Sequence, residues 1–153
     1  MKLYLMQHGD ARSKGDDPER RLTECGETDT RKMAEYVVAH GLIDIRRILH
    51  SGKARAAQTA EIVAAHLKSA YETGEVDDLG PKDDVAIWGR KFDQDRENVM
   101  LVGHLPHLGR LATLLLRGNP NKPIINFRNS GIVCLAKNGG EWLVEWILTP
   151  DLI

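Results

Sequence analysis

Three side chains that suit chemistry on phosphate stand at or just after short apolar segments: His8, Arg55 and His104. A neutral imidazole is a competent nucleophile near neutral pH, because its unperturbed pKa is about 6.5. A guanidinium has a planar fork of donors that matches the oxygens of phosphate. A second imidazole, when protonated, can donate a hydrogen bond to an oxygen of the transition state. These residue types favour phosphoryl transfer, in which one histidine takes the phosphoryl group and water then releases it.

The backbone beside these side chains favours the same chemistry. Gly9 and Gly103 have no side chain, which allows the backbone to approach a phosphoryl group closely. Helices are predicted to begin just after Ser51 and just after His104, and the amino end of a helix presents N–H groups and a positive dipole end to an anion. Gly9 is therefore a candidate phosphate-binding residue, and Ser51 is a further candidate for the same pocket. His107 is near enough to His104 in the sequence to contact a substrate.

Strand-like and helix-like segments alternate along the chain. Strands are predicted at residues 2–6, 46–50, 71–76, 98–102, 132–136 and 142–147. Helices are predicted from Glu24, capped by Thr23, to His40-Gly41, and at residues 54–67, 85–92 and 106–116. The last two strands are separated by Asn138-Gly139-Gly140, which is a signal for a hairpin turn.

This alternation predicts the α/β class, as a three-layer α/β/α sandwich. Its central sheet is expected to be mostly parallel, and the final hairpin predicts an antiparallel edge strand. In such sheets the ligand binds outside the carboxyl ends of the strands. The order of the strands therefore predicts that His8, Arg55 and His104 converge at one edge of the sheet.

Composition excludes several classes of protein. The chain has 153 residues, of which 42% are hydrophobic, so residues 1–153 are expected to form a single domain with a full core. Lys and Arg number 21 and Asp and Glu number 22, a formal net charge of −1. A nucleic-acid or membrane-surface binder needs a basic excess, so neither partner is expected.

No cofactor and no metal are expected, and the protein is predicted to be cytoplasmic. His8 and Asp10 are not accompanied by a spaced set of further ligands, and neither GxGxxG nor GxxxxGK[ST] occurs. The two cysteines, Cys25 and Cys134, are far apart and form no CxxC motif, which fits a reducing compartment. The first ten residues lack the apolar run and cleavage site of a signal peptide, and no run approaches the length of a membrane span.

Four motifs resemble the histidine phosphatase superfamily, and within it the small SixA-like phosphohistidine phosphatases. The family's first strand with Arg-His-Gly is matched by LYLMQHGDA, and its Arg before Leu-Thr by residues 20–23 (RRLT) followed by Gly26. Its Ser-x-x-x-Arg-Ala-x-Gln-Thr segment is matched by residues 51–59 (SGKARAAQT), and its second histidine by residues 103–106 (GHLP). The resemblance covers nearly the whole chain and implies a phosphoglycerate mutase-like fold.

The resemblance implies a role for each matching residue. His8 corresponds to the nucleophile and His104 to the second histidine, which stabilises the transferring phosphoryl group. Arg55 corresponds to a phosphate-binding arginine. Arg20 corresponds to the arginine of the loop before Leu-Thr. Its neighbour Arg21 is the alternative residue for the same family position.

One position departs from the family pattern. Gln7 stands where the family has arginine, at a position that contributes to phosphate binding. Glutamine keeps a donor but lacks the charge and the bidentate fork. Loss of one preorganised charged donor costs on the order of 10²–10³ in rate. Three readings stay open: Arg20 or Arg21 compensates, the enzyme is slow, or the protein binds phosphate without turnover.

The general acid is the second open point. Asp78 and its neighbours Asp77 and Asp83 lie in an acidic loop that corresponds to the loop from which larger relatives supply a carboxylate. A solvated loop is the more ordinary interpretation of these residues. A phosphohistidine substrate reduces the need for an acid, because its leaving imidazole takes up a proton near neutral pH, whereas an alkyl phosphate ester needs stronger acid help.

These observations predict a metal-independent phosphohistidine phosphatase that acts through a covalent phosphohistidine intermediate. The resemblance implies that its partner is a phosphorylated histidine-containing protein of a phosphorelay or phosphotransfer system, with inorganic phosphate as the product. Two alternatives remain: a small-molecule phosphomonoesterase on the same fold, and a non-catalytic phosphoprotein-binding module, which Gln7 motivates.

Overall fold

The computed structural model describes residues 1–67 and 72–153. The strands are β1 (Lys2–Gln7), β2 (Arg47–His50), β3 (Glu72–Glu75), β4 (Val99–Gly103), β5 (Ile132–Asn138) and β6 (Glu141–Leu148). The helices are α1 (Glu24–Ala39), α2 (Ala54–His66), α3 (Val85–Gln94) and α4 (His107–Arg117), and a short 3₁₀ helix covers Pro150–Leu152. Every element predicted from the sequence is present within a few residues of its predicted bounds, and Tyr71, the first residue of the predicted third strand, lies outside the described residues.

The strands form one six-stranded sheet in the order β3-β2-β4-β1-β5-β6. The β1–β4, β2–β4 and β2–β3 pairs are parallel. β5 runs antiparallel to β1, and β6 runs antiparallel to β5. The predicted mostly parallel sheet with an antiparallel edge is thus confirmed, and the edge consists of the hairpin β5–β6.

Helices cover both faces of the sheet. Along β1 the side chains alternate, because successive residues of a strand point to opposite faces. Leu3 and Leu5 belong to one buried cluster together with Phe92 of α3 and Leu108 of α4. Tyr4 and Met6 belong to a second buried cluster, which contains residues of α1 and α2. The three predicted layers are therefore α1 and α2, the sheet, and α3 and α4.

The ends of two helices follow from local sequence. The side chain of Thr23 accepts a hydrogen bond from the N–H of Gly26 at 3.0 Å, which caps α1 as predicted. Gly41, directly after the cap residue His40, has a φ of 62°, a left-handed conformation that glycine adopts without strain. Pro106 immediately precedes α4, so this helix begins one residue later than the sequence predicts.

The register of the parallel strands aligns their carboxyl ends. Gln7 on β1 lies opposite Gly103 on β4, and His50 on β2 lies opposite Val102, which is also on β4. The N–H of His8 continues the ladder by donating to the carbonyl of Gly103 at 3.1 Å. The residues that follow these three strands therefore meet at one edge of the sheet. No helix within 1–67 and 72–153 is both long and apolar enough to cross a membrane.

Candidate active site

The structure brings together the three side chains that were predicted to converge. Nε of Arg55, in the first turn of α2, donates to Nε2 of His8 at 3.2 Å. The rings of His8 and His104 have centroids 5.0 Å apart and are tilted by 52°. Two imidazoles and one guanidinium thus lie together at the carboxyl ends of β1 and β4.

The hydrogen bonds of His8 define its tautomer. Nδ1 lies 2.7 Å from the carbonyl oxygen of Gly9, and a carbonyl can only accept, so Nδ1 carries the proton. Nε2 consequently has a free lone pair, and this lone pair accepts from Arg55. Burial lowers the pKa of His8 to about 4; the bond to Gly9 opposes this shift, and the charges of Arg55 and Arg20 add to it. His8 is therefore a neutral imidazole at neutral pH, and the lone pair on its Nε2 faces the guanidinium of Arg55.

His104 is held by a hydroxyl group. Its side chain is 1% exposed, and Nε2 lies 2.5 Å from Oγ of Ser51. Nδ1 is buried and has no hydrogen-bond partner among the described residues. Burial, followed by the nearby charges of His8 and Arg55, lowers the pKa of His104 to about 3. His104 is thus neutral in the unliganded protein, so the protonated form considered from the sequence requires the charge of a bound anion.

Arg20 and Arg21 point to different partners. The guanidinium of Arg21 binds Asp17, with Nε 3.0 Å from the carboxylate. Arg20 donates from Nε to the carbonyl of Arg12 at 3.1 Å, and its charge lowers the pKa of both His8 and Arg55. Arg20 is therefore the arginine of this loop whose charge acts on His8 and Arg55, whereas Arg21 serves the loop itself.

The amide of Gln7 is bonded within the protein. Nε2 donates to Oδ1 of Asn129 at 2.6 Å, and Nδ2 of Asn129 is 3.5 Å from a carboxylate oxygen of Asp10. Oε1 of Gln7 is buried and lacks a partner in the part of the chain that the structure describes. The donor that was expected to contact phosphate is thus directed to Asn129, a residue that no motif or spacing in the sequence singled out.

Gly9 is required by packing, which corrects the reason given for it from the sequence. A Cβ at this position would lie 2.8 Å from the carbonyl oxygen of Gly26 and from Oγ1 of Thr30, both on α1. Its N–H donates to Oγ1 of Thr59 at 3.0 Å and is not free for a phosphate in this structure. Thr59, from the segment 51–59, also donates to the carbonyl of Arg55 at 2.7 Å, so it connects α2 to the end of β1.

Two further candidates lie to the side of this cluster. The Asp78 carboxylate is 3.9 Å from Nζ of Lys91, and its backbone carbonyl accepts from Trp88. His107 is 1% exposed, and Asp83 is the charge that most opposes the lowering of its pKa by burial. The structure thus places His107 against the acidic loop, where Asp83 and Asp78 are its neighbours, and not in the His8–Arg55 contact.

The acidic loop borders a separate cavity of about 510 Å³. Asp77, Asp78 and Asp83 line it together with Ser51 and Lys53, so it adjoins the His104 side of the cluster. Within residues 1–67 and 72–153, no group of three or more His, Cys, Asp or Glu side chains is arranged to hold a metal ion.

Comparison with known proteins identifies the family of this chain. No profile of a protein family matches the chain. An uncharacterized protein of Picosynechococcus sp. is 32% identical over 148 residues, which cover 92% of this chain and 88% of that protein. The phosphohistidine phosphatase SixA of Escherichia coli K12 is 28% identical over 156 residues, which cover 98% of this chain and 94% of SixA. A solved structure of the protein histidine phosphatase SixA complexed with tungstate has a TM-score of 0.86 and 28% identity, and 99% of each chain is covered.

The chain belongs to the histidine phosphatase superfamily, and it is a phosphatase, a hydrolase of a class that acts without metal ions. Within that superfamily it is similar to SixA over nearly its whole length. The family predicted from the four motifs is thus confirmed, and so is the phosphoglycerate mutase-like α/β sandwich.

Proposed function

We propose that this protein removes the phosphoryl group from phosphohistidine on a protein, through a covalent intermediate on His8, and that residues 1–153 act as a single histidine phosphatase domain. The observation that carries the proposal is the state of His8. Its Nδ1 proton is held by Gly9 and its Nε2 lone pair lies 3.2 Å from the guanidinium of Arg55. When the oxygens of a phosphoryl group accept from that guanidinium, the phosphorus comes within reach of a neutral nucleophile.

In the first step, Nε2 of His8 attacks phosphorus and the P–N bond of the substrate breaks. The substrate imidazole leaves with the electron pair of that bond as a neutral molecule, because its other nitrogen carries a proton near neutral pH. His8 becomes positively charged as it takes the phosphoryl group, and the carbonyl of Gly9 stabilises this charge, since the same bond favours the protonated ring. In the second step, water attacks phosphorus, the electron pair returns to Nε2, and inorganic phosphate leaves.

The charged groups around His8 bind the transferring phosphoryl group. Arg55 and Arg20 supply positive charge, and the bound anion raises the proton affinity of His104, which then donates from Nε2 in place of its bond to Ser51. A developing negative charge on three phosphoryl oxygens is stabilised by such preorganised donors. Tungstate, the ion in the SixA structure, is a tetrahedral oxyanion of the kind this pocket would accept.

Two observations favour a phosphoramidate over a phosphate ester. Among the described residues, the Asp78 carboxylate pairs with Lys91 and borders the cavity on the His104 side, so the carboxylate considered as the general acid for an alkoxide leaving group is engaged by a cation. SixA of Escherichia coli, which is similar to this chain over nearly its whole length at 28% identity, is a phosphohistidine phosphatase. The partner we propose is a phosphorylated histidine-containing protein of a phosphorelay or phosphotransfer system, in the reducing cytoplasm, which suits the two free cysteines, Cys25 and Cys134.

A substrate panel tests this proposal. Release of inorganic phosphate is measured from a phosphohistidine protein, from a sugar phosphate and from p-nitrophenyl phosphate, with wild type, His8→Ala and His40→Ala. His40 is exposed and lies at the end of α1, so its replacement controls for loss of an imidazole. We expect the phosphohistidine protein to have the highest kcat/KM and His8→Ala alone to be inactive. Equal turnover by His8→Ala, or a preference for either ester, would contradict the proposal.

A further inference from the structure

Asp17 is a buried carboxylate that the proposed reaction does not use. It lies in the loop 11–22 between β1 and α1 and is 4% exposed. Its oxygens accept from the N–H of Glu19 at 3.2 Å, from the N–H of Arg21 at 3.0 Å and from the guanidinium of Arg21 at 3.0 and 3.4 Å. Its backbone carbonyl accepts from the N–H of Arg20 at 2.9 Å. The turn 17–21 is thus built around this one side chain.

The turn holds Arg20 in an unfavourable backbone conformation. Arg20 has a φ of 53°, in the left-handed region that residues with a Cβ avoid. Such a conformation persists when its surroundings fix it, and strained residues of this kind concentrate at ligand-binding sites. Here the bonds to Asp17 on both sides of Arg20 fix it, and Nε of the Arg20 side chain donates to the carbonyl of Arg12.

The pairing of Arg21 with Asp17 separates the two neighbouring arginines. Because the Asp17 carboxylate is occupied by Arg21, it does not compete for the guanidinium of Arg20. The charge of Arg20 instead acts on His8 and on Arg55. The sequence Arg-Arg therefore contains one residue that anchors the loop and one whose charge acts on His8 and Arg55.

The loop is also attached to the helix that carries Arg55. Arg12 donates from its N–H to the carbonyl of Arg21 at 2.9 Å, and Ala11 forms an isolated bridge with Leu22. The N–H of Leu22 donates to Oε1 of Gln58 on α2 at 2.8 Å. Because these bonds do not involve the Asp17 carboxylate, its loss leaves both ends of the loop attached and frees only the turn 17–21.

We propose that Asp17 is a positioning residue, which fixes Arg20 beside His8 and Arg55 so that the pocket binds the phosphoryl group. This inference rests on the proposed function, because it assigns Arg20 to the phosphate. Asp17 itself does not contact the substrate. Its effect passes through the backbone of Arg20, so it should vanish when Arg20 is absent.

A double-mutant cycle on phosphate affinity tests this coupling. The dissociation constant of inorganic phosphate is measured by calorimetry for wild type, Asp17→Ala, Arg20→Gln and the double variant. Each single change is expected to weaken binding by about ten- to a hundredfold, the value of a hydrogen bond to a charged group. The double variant is expected to bind no more weakly than Arg20→Gln, because both changes remove the same interaction. Asp16→Asn, which removes an exposed carboxylate from the same loop, is expected to match wild type.

A second readout follows the titration of His8 by NMR. The charge of Arg20 lowers the pKa of His8, so both Asp17→Ala and Arg20→Gln should raise it. Asp17→Asn keeps one oxygen acceptor for the backbone and serves as the folded variant if Asp17→Ala does not fold; its effects should be smaller and in the same direction.

Two outcomes would overturn the inference: Asp17→Ala weakens phosphate binding as much in the Arg20→Gln background as in wild type, or it leaves the titration of His8 unchanged. The binding cycle requires no turnover. If the protein did not hydrolyse phosphohistidine, the proposed function would fail while a non-additive cycle would still support the role of Asp17.

Discussion

Replacement of Arg55 by glutamine should separate two effects that one guanidinium has on the site. Arg55 Nε donates to Nε2 of His8 at 3.2 Å, the atom that attacks phosphorus in the proposed mechanism. Removing one preorganised donor from such a position costs about 2.7–4 kcal/mol of transition-state stabilisation, which is 10²–10³ in rate. We therefore expect Arg55→Gln to reduce kcat/KM for a phosphohistidine protein by that factor at pH 7.5.

The second effect of Arg55→Gln is on the pH profile. Only the neutral form of His8 is nucleophilic, and burial with the charge of Arg55 keeps its pKa near 4. Activity should therefore fall only as the pH drops toward that value. Loss of the Arg55 charge raises the pKa of His8, so the acid limb of the kcat/KM profile should move to higher pH, although burial still holds the pKa below its ordinary value.

The assay is initial-rate phosphate release between about pH 3 and pH 8.5, in steps of about half a unit that bracket both the lowered pKa of His8 and the ordinary imidazole pKa, with the uncatalysed hydrolysis of the substrate subtracted at each pH. Arg31→Gln on the exposed face of α1 is the matched control. The control should overlay wild type. A loss smaller than about threefold, well below the value of a preorganised donor, together with an unmoved acid limb would refute the assignment of Arg55 to the phosphate and to His8.

Three further changes test other parts of the site. Gln7→Arg should raise kcat/KM by about tenfold, because arginine adds a charged bidentate donor at the position where the family has one; an unchanged value would mean that the arginines already present suffice. Ser51→Ala removes the partner of His104 Nε2 and should lower kcat by about tenfold with a smaller change in phosphate affinity; equal losses in both would contradict a role in orienting that ring. Gly26→Ala places a Cβ against the Asp10 carbonyl and should lower the free energy of unfolding in urea by about 1–3 kcal/mol, whereas Gly74→Ala, where a Cβ meets nothing within 4 Å, should not.

The residues that meet at the sheet edge could be predicted because strand order determines their position. His8, Ser51 and His104 each follow a parallel strand, and parallel strands align their carboxyl ends whatever the loops do. Arg55 follows from the same reasoning, since the helix that carries it begins directly after β2. The apolar segments and turn signals around these residues were enough to identify the three layers.

The groups that hold those residues in place could not be predicted in this way. Asn129 and Asp17 lie in irregular segments, where neither the helical nor the strand period applies. Asn129 meets Gln7 across 122 residues of sequence, a contact that depends on how β5 pairs with β1. Gly9 illustrates the same limit. A side chain is excluded at this position because α1 packs closely against it, and not because the backbone must approach a phosphate.

The acidic loop illustrates a different limit. His107 was a candidate because it is close to His104 in the sequence, and Asp78 because its loop corresponds to the one from which larger relatives supply a carboxylate. In the structure the loop turns toward α3 and α4, where Asp78 faces Lys91 and His107 is buried. The distance in sequence between a residue and a strand end does not determine on which side of the site its loop folds.

The identity of the phosphorylated nitrogen is the most direct test of the account. Wild type is mixed with a phosphohistidine protein, quenched within the first turnover under alkaline conditions, and analysed by ³¹P–¹H NMR and by mass spectrometry of the peptide that contains His8. The account predicts one phosphoryl group on Nε2 of His8, because Nδ1 is bonded to the carbonyl of Gly9. A phosphoryl group on Nδ1, on another residue, or turnover without any phosphoenzyme would contradict it.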